Sequence, residues 1–204
     1  MSMNKLKIGD IIPFGEYSWR VLDVQEDRAL IITENVVEWR AYNEELVNVT
    51  WETCDLRKYL NGEFLSKFDV SRIAEVTNPN PDNLWCESAG GNPTQDKVFL
   101  FSLEEVDKYF GNSGDYLAQR RKSFDEEFYL DDDGIWVTNN HDSSRIANYM
   151  GEACWWWLRS PGSGSYDGCS DTAAYVTEYG SVVVTGEYIR RQHGGVRPAL
   201  WLKL

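Results

Sequence analysis

Clustered apolar positions near the start of the chain predict a β-hairpin. Residues 19–24 and 29–33 are rich in β-branched, aromatic and other apolar side chains, and the polar residues 25–28 separate them. Two β-rich runs joined by a short polar turn are typical of paired antiparallel strands.

The apolar spacing then changes to that of a helix. Leu56, Tyr59 and Leu60 recur at helical spacing, so we expect a helix that Thr53 caps and that stops near Gly62. This helix is the first flanking element predicted beside the hairpin.

A second helix is predicted directly after a short apolar strand at residues 98–101. Ser102 and Glu105 have the spacing of a capping box, in which each side chain accepts a hydrogen bond from the other residue's backbone N–H. Gly111 supplies the stop. The buried face of this helix is expected to consist of Leu103, Val106 and Phe110.

A polar helix over residues 116–128 and a strand over 135–138 are also expected. The run Asp-Asp-Asp-Gly at 131–134 invites comparison with a calcium loop, but apolar residues follow it where an EF-hand continues its ligands. Asp and Gly suit tight turns. We therefore interpret this run as an acidic turn before the strand.

The C-terminal fifth consists of two apolar anchors around a polar insert. The anchors are residues 155–162 and 195–202, and each contains one arginine, Arg159 or Arg197. A guanidinium in apolar surroundings is costly unless carbonyls or carboxylates pair with it. Both arginines are thus predicted to be buried clamps at the ends of the insert, with anion binding as the alternative. Trp155, Trp157 and Trp201 are assigned to the same clamp.

Strand alternation sorts the side chains of these segments into two faces. Trp155 and Trp157 are predicted to face one layer and Trp156 another. In the insert, runs at 173–177 and 181–185 surround the turn 178–180 and form a second predicted hairpin. One face of it is apolar, and the other, which carries Tyr175, is mixed polar and aromatic.

The composition of the insert is typical of binding loops. Residues 163–193 are dominated by Tyr, Ser, Gly and Asp, which combine rigid aromatic area with adaptable hydrogen bonding. We expect Tyr166, Tyr175, Tyr179 and Tyr188 to form one exposed patch that contacts a protein or glycan ligand. The predicted ligand-contacting residues are Tyr166, Asp167, Ser170, Asp171, Tyr175, Tyr179, Ser181, Tyr188, Arg190, Arg191 and His193.

Charge and cysteine content narrow the function classes. A net charge of −13 argues against nucleic acid and anionic membranes as partners, which need a basic surface. No apolar run approaches a membrane span and no signal peptide is visible, so a cytoplasmic protein is expected, with surface display as the alternative if an export signal is missing. The four cysteines lack metal-ligand spacing, so we predict reduced, mostly buried thiols, no metal site and no cofactor.

The C-terminal motifs carry a resemblance to a known group of domains. Trp-Trp-Leu-Arg-Ser-Pro-Gly at 156–162, Ala-Ala-x-Val at 173–176, Gly-x-Val at 180–182 and Gly-Val-Arg-Pro-Ala-Leu-Trp-Leu at 195–202 resemble a large family of uncharacterised bacterial domains common in gut Firmicutes. The hairpin around Trp19 and the segments 55–61 and 96–106 match that family in the same order.

This family is in turn distantly similar to C-type-lectin-like domains of the formylglycine-generating-enzyme branch, which includes retroelement-diversified variable proteins. The resemblance implies a single α+β domain over residues 1–204, with small antiparallel sheets, two or more flanking helices, adjoining N- and C-terminal strands and long C-terminal loops that form a ligand face. The Glu-Pro-Asn and Trp-Asn-Asp motifs of sugar-binding C-type lectins are absent, and Cys154 and Cys169 are too far apart in sequence to match the enzymes' close cysteine pair.

Three functions follow from these observations. The leading hypothesis is a non-catalytic binding module whose insert contacts the ligand, with diversification of the insert by a retroelement as a sub-hypothesis. The alternatives are a cysteine- and metal-dependent oxidase that uses Cys154 and Cys169, and a structural domain of a surface or phage assembly.

Overall fold

The last strand of the chain lies between strands from its first half. The structure, a computed structural model, describes residues 6–111, 130–131, 134–137, 142–164 and 171–204, and for 130–131 and 134–137 it describes the backbone only. Within these ranges the chain is mixed α+β, with many strands in mostly antiparallel sheets and few helices.

The first sheet holds the predicted N-terminal hairpin. With strands numbered in chain order, its neighbours run β1 (Ile11–Phe14), β2 (Tyr17–Val24), β3 (Arg28–Thr33), β17 (Ala199–Lys203) and β5 (Ile73–Ala74), and β8 (Val98–Phe99) also pairs with β17. β2 and β3 pair antiparallel, which confirms the predicted hairpin. β17 pairs antiparallel with β3, so the N- and C-terminal parts of the chain adjoin.

The second sheet is built mainly from the C-terminal anchors and the insert. Its order is β4 (Glu38–Trp39), β16 (Gly195–Val196), β13 (Trp156–Pro161), β14 (Thr172–Val176), β15 (Val182–Tyr188), β10 (Gly134–Val137) and β9 (Leu130–Asp131). Two smaller strand pairs are β6 (Val76–Asn78) with β7 (Thr94–Asp96), and β11 (Ala147–Tyr149) with β12 (Glu152–Cys154).

The first helix begins one residue later than predicted. α1 spans Asp55–Tyr59 and continues through a π turn (Leu60–Phe64) into a 3₁₀ turn (Leu65–Lys67), and a further 3₁₀ turn spans Val70–Arg72. Its cap is Cys54 rather than Thr53, because the Cys54 Sγ accepts the Arg57 backbone N–H at 3.4 Å. The Thr53 hydroxyl instead accepts the backbone N–H of Thr50. The prediction of Thr53 as cap was wrong by one position.

The second helix agrees with its sequence signals. α2 spans Leu103–Phe110, and both hydrogen bonds of the capping box between Ser102 and Glu105 are present. Leu103, Val106 and Phe110 are buried as predicted. A third short helix, α3, spans Asp142–Arg145. The predicted helix over 116–128 lies outside the described residues, whereas β10 matches the predicted strand after the acidic turn.

A buried carboxylate joins α1 to the strands beside it. Asp96 is almost fully buried and accepts hydrogen bonds from Arg57 Nε (2.6 Å), Trp51 Nε1 (3.0 Å), Asn78 Nδ2 (2.8 Å) and Thr94 Oγ1 (2.6 Å). A buried carboxylate is tolerated when it is paired and saturated with donors in this way. The motifs at 55–61 and 96–106 therefore have a structural role in this region.

Candidate functional site

Arg197 fixes the C-terminal end of the insert. It is 2% exposed, and its guanidinium donates to the carbonyl oxygens of Thr33 (3.0 Å), Arg145 (3.1 Å) and Glu34 (3.2 Å). The rings of Trp156 and Phe110 lie over it at 5.0 and 5.3 Å. Burial lowers the pKa of Arg197 to about 10 because water no longer solvates the charged form.

Arg159 occupies the corresponding place at the N-terminal end. This residue of β13 is also 2% exposed. It donates to the Leu100 carbonyl oxygen at 2.8 Å and to the Asn80 side chain at 3.2 Å, and it forms an ion pair with Glu105 of the α2 capping box. Both anchor arginines are therefore buried and bound to protein oxygens, which leaves neither guanidinium open to a ligand.

A third buried arginine, Arg145, was missed by the sequence analysis. Its Nε donates to the Gly180 carbonyl at 2.6 Å, and it forms an ion pair with Asp142 one turn earlier in α3. Gly180 has φ +87°, and a Cβ there would lie 1.9 Å from the Asp142 carbonyl oxygen. The β14–β15 turn thus packs closely on α3, and no local pattern in the sequence indicates this contact.

The three consecutive tryptophans alternate between two layers. Trp155 and Trp157 contact each other edge to face, with centroids 4.7 Å apart, whereas Trp156 packs against Phe110 and Arg197. Trp156 and Trp157 are fully buried, and Trp155 is partly exposed. Trp201 is half-buried on β17, with the Arg28 guanidinium 4.6 Å above its ring.

The predicted mixed face of the insert hairpin is not an open surface. Val183 is fully buried and Ser181 is 5% exposed, and the ring of Tyr175 packs against Trp155 at 5.2 Å. The hydroxyl of Ser181 donates to Asp142 at 3.3 Å. Strands β13 and β10 pair with the two outer edges of the hairpin, and helix α3 packs on its turn. Residues of both alternating sets are covered, so the predicted mixed polar and aromatic face is largely buried.

The expected single tyrosine patch is also not found among the described tyrosines. Tyr179 is 70% exposed at the β14–β15 turn, whereas Tyr188 is 51% exposed and pairs with Thr172 at the open end of the same hairpin. Four residue steps of β14 separate these ends, roughly 13 Å at the usual rise of a strand. Tyr166, Asp167 and Ser170 lie outside the described residues.

The loop after β15 is held at both ends by buried residues. Ile189 is fully buried, its N–H donates to the Asp171 carbonyl and its own carbonyl accepts the Asn43 N–H, both at 3.0 Å. At the far end, a Cβ on Gly194 would lie 1.9 Å from the Trp157 indole nitrogen, so only glycine fits. The four polar side chains between them, residues 190–193, are exposed on a supported loop.

These exposed side chains line an open groove of about 630 Å³, here called the C-terminal groove. Its walls are Leu46, Asp171, Tyr188, Arg190, Arg191, Gln192 and His193. Five of them were predicted as ligand-contacting from the insert's composition. Leu46 and Gln192 were not predicted. Leu46 lies in residues 36–49, whose apolar positions have no clear period, and Gln192 is unlike its Tyr- and Ser-rich neighbours.

Asp171 supplies a carboxylate at the buried side of the groove. The residue is 8% exposed, and its Oδ1 is buried without a hydrogen-bond partner. Folded proteins pair nearly all such oxygens, because a buried acceptor without a donor costs free energy. Among the described residues Asp171 thus lines the groove, and its buried Oδ1 has no protein donor.

The rim of the groove carries both signs of charge. Arg191 pairs with Glu187 at 3.2 Å, and the Gln192 amide donates to Glu44 at 3.2 Å. Arg190 is exposed, and no carboxylate of the described ranges pairs with it. Two guanidinium groups therefore stand near three carboxylates, counting Asp171, so the groove is polar without being strongly basic or acidic.

Aromatic side chains extend the surface beyond the groove at His193. The imidazole meets the Trp39 ring edge to face at 5.3 Å, and Trp39 packs on Tyr149 at 4.8 Å. Trp39 is 46% exposed although it is one of the largest apolar side chains, and its Nε1 donates to the Cys154 Sγ at 3.1 Å. The sequence analysis did not identify Trp39, because residues 36–49, which include Leu46, have no periodic pattern.

The described thiols are held in the protonated form. Burial raises the pKa of Cys54 to about 12 and that of Cys86 to about 11, and burial also raises the pKa of Cys154. All three are free cysteines. Because the thiolate is the nucleophile and the metal ligand, raised pKa values reduce the reactivity of each. Cys169 lies outside the described residues.

The described ranges lack two other kinds of feature. No cluster of three or more His, Cys, Asp or Glu side chains there could hold a metal ion. No helix in the same ranges combines the length and apolarity needed to cross a bilayer.

Comparison with known proteins identifies the family. No curated protein and no solved structure matches the chain. Residues 26–204 match the model of DUF6273, a domain of unknown function. The match covers the second sheet, the first sheet from β3 onward, both anchor arginines and the C-terminal groove. The chain therefore belongs to the DUF6273 family.

Proposed function

We propose that this domain is a non-catalytic binding module that holds its ligand in the C-terminal groove. One observation carries the proposal: Asp171, Tyr188, Arg190, Arg191 and His193, chosen from sequence for their binding chemistry, line one open groove. Concave sites with a few convergent polar groups and an aromatic wall are the usual ligand sites of proteins.

The construction of the groove supports this function. Ile189 and Gly194 hold the loop, and Arg197 and Arg159 fix the strands that flank the insert, so the exposed side chains are presented on a rigid support. A binding site loses less entropy on association when its groups are already ordered. The buried arginines thus act as positioning residues.

The chemistry of the thiols argues against the oxidase alternative. A copper-binding cysteine pair requires thiolates. The raised pKa of Cys154, caused mainly by burial, favours the neutral thiol, and its sulfur already lies against the Trp39 indole. A binding function does not require a reactive cysteine.

The C-type-lectin-like relationship is part of the same proposal. Two features support it: β3 and β17 join the N- and C-terminal parts of the chain, and a C-terminal loop forms the groove. Diversification of the insert by a retroelement is a further part. Exposed Tyr188, Arg190, Arg191 and His193 support it, whereas Gln192, which also lines the groove, is not a residue type that such diversification produces. A near-copy of the segment beside a reverse transcriptase gene would support diversification, and the absence of both would remove it.

Backbone NMR titrations test the binding function. The ¹⁵N-labelled protein is titrated separately with maltotriose, cellotriose, xylotriose, chitotriose, trigalacturonate, trilysine and triglutamate. We expect at least one probe to shift the amide signals of residues 171–172 and 187–194 more than those of the rest of the chain. Shifts confined to other surfaces, or none with any probe, would contradict the proposal.

A further inference from the structure

We infer that the ligand of the C-terminal groove is a neutral, hydroxyl-rich molecule, an uncharged oligosaccharide. The inference rests on the proposed binding function and adds the chemical class of the ligand. Three features of the groove carry it: its mixed charges, the Asp171 carboxylate with an unpaired oxygen, and the exposed Tyr188 ring.

The charges of the groove disfavour ions of either sign. A cationic peptide would meet the guanidinium groups of Arg190 and Arg191, of which Arg190 has no carboxylate partner among the described residues. A polyanion would meet Asp171, Glu187 and Glu44 on a protein of net charge −13. Like charges at close range cost binding free energy, so a strongly charged ligand of either sign gains little here.

A hydroxyl group satisfies both kinds of charged side chain. It donates one hydrogen bond and has two acceptor lone pairs. The Asp171 carboxylate can only accept when ionised, and its buried Oδ1 has no donor among the described residues. The Arg190 guanidinium can only donate. Neighbouring hydroxyls of one sugar can therefore donate to Asp171 and accept from Arg190 or Arg191, with each hydrogen bond strengthened by the protein's charge.

The remaining walls fit the less polar faces of a sugar ring. Tyr188 is 51% exposed and Leu46 is 41% exposed, so both present apolar area to the groove. A tyrosine ring combines flat apolar area with a polar hydroxyl. The groove is open and holds about 630 Å³, which suits a few linked rings lying along the surface.

The expected selectivity can be measured with charge-matched probes. Isothermal titration calorimetry compares chitotriose with its cationic deacetylated trimer, and a galactose trimer with anionic trigalacturonate. Maltotriose, cellotriose and xylotriose widen the neutral set, and trilysine and triglutamate serve as charged peptides. We expect a neutral sugar to bind at least tenfold more tightly than every charged probe.

Two single substitutions test whether the sugar contacts Asp171. Asp171→Asn keeps the side-chain size and removes the charge. It should lower the affinity for the tightest-binding neutral sugar by about tenfold or more, since a hydrogen bond to a charged group contributes that factor. Glu26→Gln, on the exposed turn between β2 and β3, removes the same charge at a residue that does not line the groove, and it should change affinity less than twofold. Melting curves of both variants verify that they are folded.

The outcomes separate the two proposals. If a charged probe binds most tightly and shifts the signals of residues 187–194, the neutral-sugar inference falls and the binding function stands. If a neutral sugar binds but Asp171→Asn and Glu26→Gln behave alike, the inference is also overturned. If no probe binds in the groove, both proposals fall.

Discussion

Arg197 and Arg145 are joined through one carbonyl: the Arg197 Nη1 donates to the backbone oxygen of Arg145 at 3.1 Å. The Trp156 indole nitrogen donates to the same oxygen, also at 3.1 Å. One oxygen thereby links α3, β13 and Arg197, which lies in the two-residue connection between β16 and β17. The guanidinium of Arg145 in turn reaches the Gly180 carbonyl, so the turn of the insert is tied to the same network.

Replacing Arg197 by lysine tests this network. A lysine ammonium is compact and lacks the planar fork that reaches three carbonyls, so the Arg197→Lys variant leaves buried acceptors unpaired. We expect the free energy of unfolding to fall by about 2–4 kcal/mol, as measured by urea denaturation. The matched control is Arg190→Lys on the exposed loop, with an expected change within about 0.5 kcal/mol. Equal stability of the two variants would contradict the clamp role.

Much of this framework was predictable because local patterns determine it. The hairpin β2–β3, the capping box of Ser102 and the burial of both anchor arginines follow from residue type and spacing alone. The Cys54 cap could not be predicted, since a thiol is a weak acceptor and Thr53 is the better cap by type. Arg145 gave no signal because its burial depends on contacts with Gly180 and Phe110, which are far away in sequence.

The stability of the protein at alkaline pH should depend on the ionisation of the Cys54 thiol. Its folded pKa of about 12 lies above the ordinary value of 9.0, because burial disfavours the thiolate. Above pH 9 the unfolded chain loses this proton while the folded chain keeps it, so stability is lost as pH rises towards 12. The slope for this group is about 1.4 kcal/mol per pH unit at most.

The comparison is with Cys54→Ala, by urea denaturation between pH 8 and pH 11. The variant should be less stable at pH 8 because it loses buried contacts, but its stability should decline less steeply above pH 9. Parallel curves for the two proteins would show that the Cys54 thiol is not held neutral by burial.

Two glycine-to-alanine substitutions should have opposite effects. At Gly194 the new Cβ would lie 1.9 Å from the Trp157 indole nitrogen, which already donates to the Arg40 carbonyl, so overpacking should cost about 1–3 kcal/mol. At Gly62, in the π turn, no atom lies within 4 Å of the new Cβ. Alanine there should raise the free energy of unfolding by roughly 0.5–1 kcal/mol. Thermal melting measures both, and a Gly194→Ala variant that melts like the wild type would remove the close support assigned to the loop.

The groove was only partly predictable. Composition identified Tyr188, Arg190, Arg191 and His193 as exposed polar residues of a binding loop, and that property is local. Which of the insert's residues share a surface depends on the packing of the hairpin, and that packing separates Tyr179 from Tyr188 and buries Ser181. Leu46 and Trp39 come from a stretch without periodicity, so only the tertiary structure brings them to the site.

Two tyrosines of one hairpin test whether the ligand binds in the C-terminal groove. Tyr188 lines the C-terminal groove and Tyr179 lies at the opposite end of the β14–β15 hairpin, and both are exposed. Tyr188→Ala and Tyr179→Ala should each change stability by no more than about 0.5 kcal/mol. Each variant is titrated by NMR with the probe that binds the wild type most tightly. We expect Tyr188→Ala to weaken binding at least tenfold and Tyr179→Ala to bind as the wild type does. Wild-type binding by Tyr188→Ala, or loss of binding in Tyr179→Ala, would place the ligand outside the groove.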